Sequence, residues 1–249
     1  MSDTVATPDA PAPEPMKGFG WKSLLRAAAI AAIVVTVVIL ILAGLIPPLI
    51  VFIVLWLVGL WLLRRPGKAG PIFMLVVFIA YLVTNAPFSL PQLAVPASTV
   101  DFVIALGSWL AGLTAIISAI GTLAKRDDGP SGVARALGGV VVGLFVVGVA
   151  LSLFQNASFE NAELQEGDVE LTTVDIEFSP AEIEAGSGGA VFITNDDPVL
   201  HTFTIDDLDI DEDIPAGKTV RVVIDAEPGE YRFYCVPHAP DMEGQLTVR

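Results

Sequence analysis

Long apolar stretches fill most of the first 156 residues of the chain, and a two-residue alternation of apolar and polar positions follows them. A helix needs about 20 apolar residues to cross the hydrocarbon core of a bilayer. Pro47 and Pro48 separate the first two stretches, which together are too long for one span. The third is the weakest, because it is short unless it continues to Phe88. We therefore predict a membrane α-helical bundle within residues 23–156, with about five transmembrane helices at 24–46, 48–63, 71–88, 100–124 and 133–154.

The basic residues of this apolar half indicate the orientation of the helices. Lys and Arg concentrate in the cytoplasmic loops of membrane proteins. With five spans and a cytoplasmic N-terminus, all nine basic residues before position 157 fall on the cytoplasmic side. They are Lys17, Lys22, Arg26, Arg64, Arg65, Lys68, Lys125, Arg126 and Arg135. We expect a multi-pass protein of the cell membrane, in contact with the lipid bilayer, whose C-terminal part is extracytoplasmic. Asp101 then lies at an outer membrane edge, where we expect a structural role.

Composition and charge divide the chain into parts with different surroundings. Hydrophobic residues make up 53% of the chain, too many for an ordinary soluble protein. Residues 1–157 have nine basic and six acidic side chains and a net charge of +3, whereas residues 158–249 have four basic and 22 acidic and a net charge of −18. Residues 1–22 should be a disordered cytoplasmic tail, since Ala, Pro and Asp dominate its beginning. Residues 157–167 are a polar linker to a domain at 168–249.

The alternation from residue 168 onward is typical of β-strands with one buried face. Leu171, Val174, Ile176 and Phe178 are candidate inward positions of the first strands. Turn-forming Pro, Gly and Asp residues separate about seven short strands in this part of the chain, and no helical periodicity competes with them. The pattern predicts an all-β domain of antiparallel strands, a sandwich or a barrel, after the helical bundle.

The side chains best suited to metal chemistry all lie in this β domain. The chain has one Cys and two His, and Cys235, His238 and Met242 fall together in YCVPHAPDMEG (234–244). Cys235 and His201 are each in phase with the apolar residues of their strands, so both should point inward at one pole of the sandwich. Two imidazoles, a thiolate and a weak thioether are the ligand set of a blue-copper electron-transfer site. Zinc also binds Cys and His, but Met242 adds nothing for zinc. Copper, as one type 1 ion, is therefore the expected cofactor.

Three stretches of the domain closely resemble the cupredoxins, the plastocyanin-, amicyanin- and azurin-like proteins. They are DIEFSPAEIEAG (175–186), VFITNDDPVLHTFTI (191–205) and YRFYCVPHAPDMEGQLTV (231–248). The resemblance covers residues 168–249 and implies a Greek-key sandwich with a single copper ion. By the family's motif, the metal ligands would be His201, Cys235, His238 and Met242.

The resemblance also suggests roles for residues around these ligands. Asn195 would pin a loop beside the site, and the Leu200 carbonyl would be a weak axial oxygen. The residue after the first His ligand is often Asn in small soluble cupredoxins, where it fastens the ligand loop. Here that residue is Thr202, so the hydrogen bond to the loop must be made differently.

These observations predict an electron carrier and not an enzyme. No acid–base pair or nucleophile is evident, and copper enzymes such as nitrite reductases and multicopper oxidases need more than two His. We expect redox protein partners, such as a c-type cytochrome or a membrane oxidoreductase complex, and no nucleic acid. Two alternatives remain open: a copper-binding carrier of the metal itself, and a non-redox structural subunit of a larger membrane complex.

Overall fold

The computed structural model of the protein describes residues 18–124 and 129–249. Within these ranges five helices precede a sandwich of two β-sheets, which confirms the expected fold class. Most of the tail expected at 1–22 lies outside the described residues, as do Lys17, Lys125 and Arg126. The helices are α1 (Trp21–Leu42), α2 (Pro47–Leu62), α3 (Ala69–Gln92), α4 (Thr99–Ala124) and α5 (Gly132–Ala157).

Four of these helices, α1, α3, α4 and α5, are long and apolar enough to cross a membrane. The shortest helix is α2, with 16 residues. The third stretch, which the sequence marks as the weakest, instead forms a helix of 24 residues.

The third helix continues through Pro87 and Pro91, where a break would be expected. Proline removes a backbone donor from a helix, and side-chain hydroxyl groups often satisfy carbonyls near such positions. In this segment the Ser89 hydroxyl donates to the Asn85 carbonyl at 2.8 Å and accepts the indole N–H of Trp109 at 3.0 Å. The irregular end of α3 is therefore tied to α4.

Helix α4 lies at the centre of the bundle and packs against α1, α3 and α5. Between α2 and α3, the Trp56 ring lies 5.3 Å from Phe78 and 4.8 Å from Tyr81, measured between ring centroids. Helix α5 instead exposes most of its apolar side chains, among them Val147 and Phe154. Such a surface suits the hydrocarbon of a bilayer.

The C-terminal sandwich contains nine strands in two sheets. One sheet has the order β2-β1-β4-β7 and the other the order β3-β9-β8-β5-β6. The pairs β1–β4 and β3–β9 are parallel and the remaining pairs are antiparallel, so the expectation of a wholly antiparallel sandwich is wrong for two pairs. The strands are β1 (Val169–Val174), β2 (Glu177–Ser179), β3 (Glu182–Ala185), β4 (Ala190–Asn195), β5 (His201–Ile205), β6 (Ile210–Ile214), β7 (Thr219–Val223), β8 (Gly229–Tyr234) and β9 (Glu243–Val248).

The segment 175–186 differs most from the sequence expectation. Pro180 interrupts it, and the two halves join different sheets, with β2 beside β1 and β3 beside β9. Val174 and Ile176, which the alternation places inside, are exposed. Val174 precedes a tight turn, and Ile176 lies in it. Asp175 and Ile176 both have positive φ in this turn, 56° and 62°. The turn shifts the alternation by one residue, and Phe178 returns to the core.

Three phenylalanines form the centre of the sandwich core. Phe178 packs edge-on against Phe233, with ring centroids 5.0 Å apart, and Phe203 lies 5.1 Å from Phe233. Phe203 and Phe233 are fully buried. Burying one such side chain contributes about 1.5–3 kcal/mol. This packing holds β5 and β8, the strands that lead to His201 and Cys235.

The linker between α5 and β1 is fastened to the sandwich by Thr219 at the start of β7. The Ala162 amide donates to the Thr219 carbonyl at 3.1 Å, and the Thr219 hydroxyl donates to the Ala162 carbonyl at 3.0 Å. The Thr219 amide donates to Asn161 Oδ1 at 3.1 Å. The linker therefore follows the domain surface.

The sandwich rests on the end of the helical bundle where α4 begins and α5 ends. Lys218 Nζ donates to the Asn156 carbonyl on α5 at 2.8 Å, and the Leu200 amide donates to Asp101 Oδ2 on α4 at 2.8 Å. Lys218 and Leu200 lie at the pole where β5 and β7 begin. This pole, which we call the bundle-facing pole, is also the pole at which His201 lies.

Candidate metal centre

Three of the expected ligand side chains converge at the bundle-facing pole. His201 is the first residue of β5, Cys235 follows β8, and His238 ends a short 3-10 turn, Val236–His238. Their ligand atoms all lie within 4.8 Å of one another. Cys235 Sγ is 3.5 Å from His201 Nδ1 and 3.3 Å from His238 Nδ1. Both imidazoles therefore present the same ring nitrogen to the sulfur.

Backbone hydrogen bonds close the loop that holds Cys235, His238 and Met242. The Cys235 amide donates to the Met242 carbonyl at 3.0 Å, the His238 amide to the Cys235 carbonyl at 3.1 Å, and the Met242 amide to the His238 carbonyl at 3.2 Å. The Met242 side chain is buried in the same apolar core as Cys235. The loop thus brings the Met242 side chain into the core that holds Cys235, and its role as axial ligand stays a prediction.

Thr202 fastens the ligand loop in place of the Asn that many cupredoxins have. Its hydroxyl accepts the Val236 amide at 2.8 Å and lies 2.9 Å from the Thr204 hydroxyl. Its own amide donates to Cys235 Sγ at 3.4 Å. One residue therefore supports both the sulfur and the loop that follows it.

Asn195 pins the loop before His201 through its side-chain amide. Its Oδ1 accepts the Thr173 hydroxyl at 3.0 Å and the Asp197 amide at 2.9 Å. Its Nδ2 donates to the carbonyls of Val199 at 2.9 Å and Ile214 at 2.8 Å. The side chain is buried and fully hydrogen-bonded, so it connects β1, β6 and the 195–199 loop.

Asp197 is a residue of the site that sequence reasoning missed. Its Oδ2 lies 2.9 Å from His201 Nε2 and accepts the Ile176 amide at 3.0 Å, while its Oδ1 accepts the Asp175 amide at 2.9 Å. Burial alone would raise the pKa of this carboxyl, but these hydrogen bonds outweigh burial and lower it. The sequence shows only a turn, Asp196-Asp197-Pro198, and does not tell which Asp turns inward.

Asp101 and Leu200 form a contact between the helical bundle and the site. Asp101 is a buried acid in the first turn of α4, and the Leu200 amide that it binds immediately precedes His201. The suggestion that the Leu200 carbonyl is a weak axial oxygen stays a prediction. The sequence could not predict the hydrogen bond between the Leu200 amide and Asp101, because the two residues are 99 positions apart.

Burial sets the protonation of the three ligands in the absence of a metal. It raises the pKa of the Cys235 thiol, although hydrogen bonds from Thr202 act in the opposite direction. It lowers the pKa of His201, against the effect of Asp197, and burial together with His201 lowers the pKa of His238 to about 4. Both imidazoles are therefore neutral near pH 7, as metal ligands must be, and metal binding would displace the thiol proton.

The donor set fits a copper ion. Soft sulfur favours Cu(I), imidazole suits both oxidation states, and two imidazoles with one thiolate match a trigonal copper site. The second nitrogen of His201 already has a carboxylate partner, as ligating histidines usually do.

A family model matches the part of the chain that forms the sandwich. Residues 143–248 match the family model of the cupredoxin-like domain. Among solved structures, the reduced form of one amicyanin mutant and the Cu(I) form of another are each 20% identical, with a TM-score of 0.33, over 36% of this chain and 90% of theirs. An oxidised amicyanin mutant is 18% identical over the same shares, also with a TM-score of 0.33. No curated protein matches the chain. The family match confirms the resemblance found in the sequence: a cupredoxin-like domain follows helices apolar enough for membrane spans.

Proposed function

We propose that this cupredoxin-like domain on a membrane anchor carries single electrons between redox partners on the extracytoplasmic face. One type 1 copper ion would be held by His201, Cys235, His238 and Met242. The observation that carries the proposal is the convergence of two Nδ1 atoms and one Sγ inside a packed sandwich.

The residues around the ligands supply the rigidity that an electron carrier needs. A bound copper ion would supply one-electron chemistry by alternating between Cu(I) and Cu(II). Asp197 holds His201, Thr202 holds the ligand loop, and the phenylalanine core holds the strands. Because these contacts limit movement of the ligands, the site would change little between the two oxidation states.

The ring of His238 is the best candidate for the route by which electrons leave and enter. His201 is fully buried, whereas His238 is half-buried. Apolar residues surround His238 in the loop, and Val236 among them has 48% of its surface exposed. An apolar rim around a partly exposed ligand suits transient contact with another protein.

Charge supports a partner with a basic surface. Residues 158–249 have a net charge of −18, which would steer a basic redox protein such as a c-type cytochrome toward the domain. A membrane oxidoreductase complex is the other partner class that we propose. The distribution of Lys and Arg in the helical half supports a cytoplasmic N-terminus and an extracytoplasmic sandwich.

Copper loading of the purified full chain tests the function. We expect Cu(II) to produce an intense thiolate-to-copper charge-transfer band in the visible spectrum and a type 1 EPR signal. The band should disappear in Cys235→Ser, which keeps the loop but removes the sulfur. A wild-type chain that binds Cu(II) without this band would contradict the proposal. Reversible one-electron reduction of the loaded protein would then separate an electron carrier from a copper carrier.

A further inference from the structure

We propose that Asp101, supplied by the helical bundle, is a positioning residue for the metal centre, so that the centre takes its final geometry only when the sandwich is docked on the bundle. This inference rests on the proposed function. It adds that the anchor forms part of the support of the site, in addition to holding the domain at a membrane.

The first step of the argument is the hydrogen bonding of the Asp101 carboxylate. Asp101 Oδ2 accepts the Leu200 amide at 2.8 Å and the Ser98 hydroxyl at 2.6 Å. All three residues are buried, with exposed fractions of 8% for Asp101, 3% for Leu200 and 0% for Ser98. Hydrogen bonds to an ionised acceptor are stronger than neutral ones, and a buried amide without an acceptor is costly. The Leu200 backbone is therefore held in place by a side chain of α4.

The second step is the position of this contact relative to His201. Leu200 precedes the ligand on the chain, so the hydrogen bond fixes the backbone one residue away from it. A second contact lies across the sheet: His201 pairs with Ile214, and the Ala216 amide, two residues beyond Ile214, donates to the Ser98 hydroxyl at 3.5 Å. The bundle thus contacts both strands of the His201–Ile214 pair, at the end of the strands where His201 lies.

The third step is that the contact region on the bundle is itself ordered by hydrogen bonds. On α5, the Ser152 hydroxyl donates to the Pro96 carbonyl at 2.7 Å and the Asn156 amide group to the Ala97 carbonyl at 2.6 Å. These bonds fix the segment that carries Ser98 and leads into α4. A fixed acceptor can hold a metal ligand in position, whereas a mobile one cannot.

Substitutions at Asp101 in the full chain, purified in detergent, test the proposal. In Asp101→Leu, the Leu200 amide loses its acceptor, and we expect altered EPR hyperfine splitting and an altered charge-transfer band of the copper-loaded protein. Asp101→Asn keeps an acceptor oxygen, so the spectrum should return toward that of the wild type. Loss of the negative charge should still shift the reduction potential to a more positive value. The matched control is Asp196→Asn, an exposed acid of the same pole, which should leave the spectrum and the potential close to those of the wild type.

Hydrogen exchange at the Leu200 amide provides a readout that needs no metal. We expect slow exchange in the wild type and in Asp101→Asn, and faster exchange in Asp101→Leu. Unchanged exchange, spectrum and potential in Asp101→Leu would overturn the proposal. If Asp101→Leu fails to fold, the potential of Asp101→Asn decides: a shift no larger than that of Asp196→Asn overturns the proposal. If the wild type lacks the copper band, the proposed function fails, whereas the exchange result and the spectrum of the Co(II)-loaded protein still test Asp101.

Discussion

The imidazole of His201 lies between the Cys235 sulfur and the Asp197 carboxylate, with Nδ1 3.5 Å from Sγ and Nε2 2.9 Å from Oδ2. With a metal on Nδ1, Nε2 must carry the proton, and this N–H donates a hydrogen bond to the Asp197 carboxylate. The carboxylate thus selects the tautomer that leaves Nδ1 free for the metal. Asp197 also accepts two backbone amides of the turn between β1 and β2, so one side chain supports a ligand and a strained turn.

Replacing Asp197 should weaken metal binding. Both carboxylate oxygens accept hydrogen bonds, and the Asn in Asp197→Asn has only one oxygen to offer to the same donors. Loss of such a partner of a ligating His typically lowers metal affinity about 10- to 100-fold. Competition with a chelator of known copper affinity measures the change. The neighbouring exposed Asp196→Asn is the control, and equal affinities of the two variants would show that Asp197 does not support His201.

The turn beside Asp197 offers a stabilising substitution. Ile176 has φ of 62° and an exposed side chain. A residue with a Cβ destabilises the folded state by about 1–2 kcal/mol when its backbone lies in the left-handed region. Glycine has no such steric cost, but it loses more conformational entropy on folding, which costs about 0.5–1 kcal/mol. Ile176→Gly creates an Asp-Gly turn, which hairpins of this type favour, and keeps the amide that Asp197 binds. We expect the sandwich to gain about 0.5–1 kcal/mol.

Thermal unfolding followed by the β signal in circular dichroism checks this gain. Val174→Gly is the matched control, since Val174 is also exposed but lies in β1, outside the positive-φ turn. That variant should be destabilised. A loss of stability in both variants would mean that the turn is not strained.

Removing the Thr202 hydroxyl should destabilise the ligand loop. Thr202→Val keeps the shape of the side chain but leaves the Val236 amide without its acceptor. A fully buried donor without a partner costs about 1–3 kcal/mol, and the partly buried Val236 amide should cost about 1 kcal/mol, at the lower end of that range. We expect a lower unfolding temperature and a shifted charge-transfer band in the copper-loaded protein. Thr202→Ser retains the hydroxyl, so it should stay near the wild type; a Ser variant as unstable as the Val variant would assign the effect to packing.

The acidic strand β6 should make stability depend on pH and salt. Partial desolvation, with repulsion from neighbouring acids added, raises the pKa of Glu212 and of Asp213. An acid whose pKa is raised by folding destabilises the folded state once it ionises, so the penalty is complete above the folded-state pKa and absent below the unfolded-state pKa. Glu212→Gln and Asp213→Asn should therefore raise the unfolding temperature at neutral pH. The gain should shrink with added salt and vanish below about pH 4.

The contribution of Asp168 to stability should depend on pH in the opposite direction, so Asp168 serves as the control for the β6 variants. Arg221 holds it with two hydrogen bonds, at 2.8 and 2.7 Å, and thereby lowers the pKa of the Asp168 carboxyl. The stabilisation is present above the unfolded-state pKa and is lost as the pH falls through the folded-state pKa. Asp168→Asn should be destabilised at neutral pH and approach the wild type in acid. The same pH trend for Asp168→Asn and Glu212→Gln would contradict this assignment.

The sequence predicts those parts of the site that depend on local patterns. Strand periodicity places Cys235 and His201 inside, and the spacing to His238 and Met242 brings the loop back to them. The contacts of Asp197 and Asp101 could not be predicted in this way. Which of two adjacent Asp residues turns inward depends on the fold of the loop, and the Asp101–Leu200 bond joins residues far apart in the chain.

The fold shows the same division between local and non-local determinants. Apolar length predicts the helices, but it does not show that α3 continues through Pro87. Alternation predicts strands, but Val174 and Ile176 are wrong as core positions because the positive-φ turn shifts the phase. A pattern of period two has no information about where the backbone reverses.

The attachment of the linker to Thr219 has a consequence for how the protein would meet its partners. A domain on a loose arm could swing toward a distant partner, and its reach would grow with the length of the arm. Here the linker follows the domain surface, and the pole with His201 rests on the bundle. On the proposed membrane anchor, the domain would meet a membrane-bound partner by sliding and rotation within the plane of the bilayer, and we expect the rate of transfer to depend on the mutual angle of the two proteins.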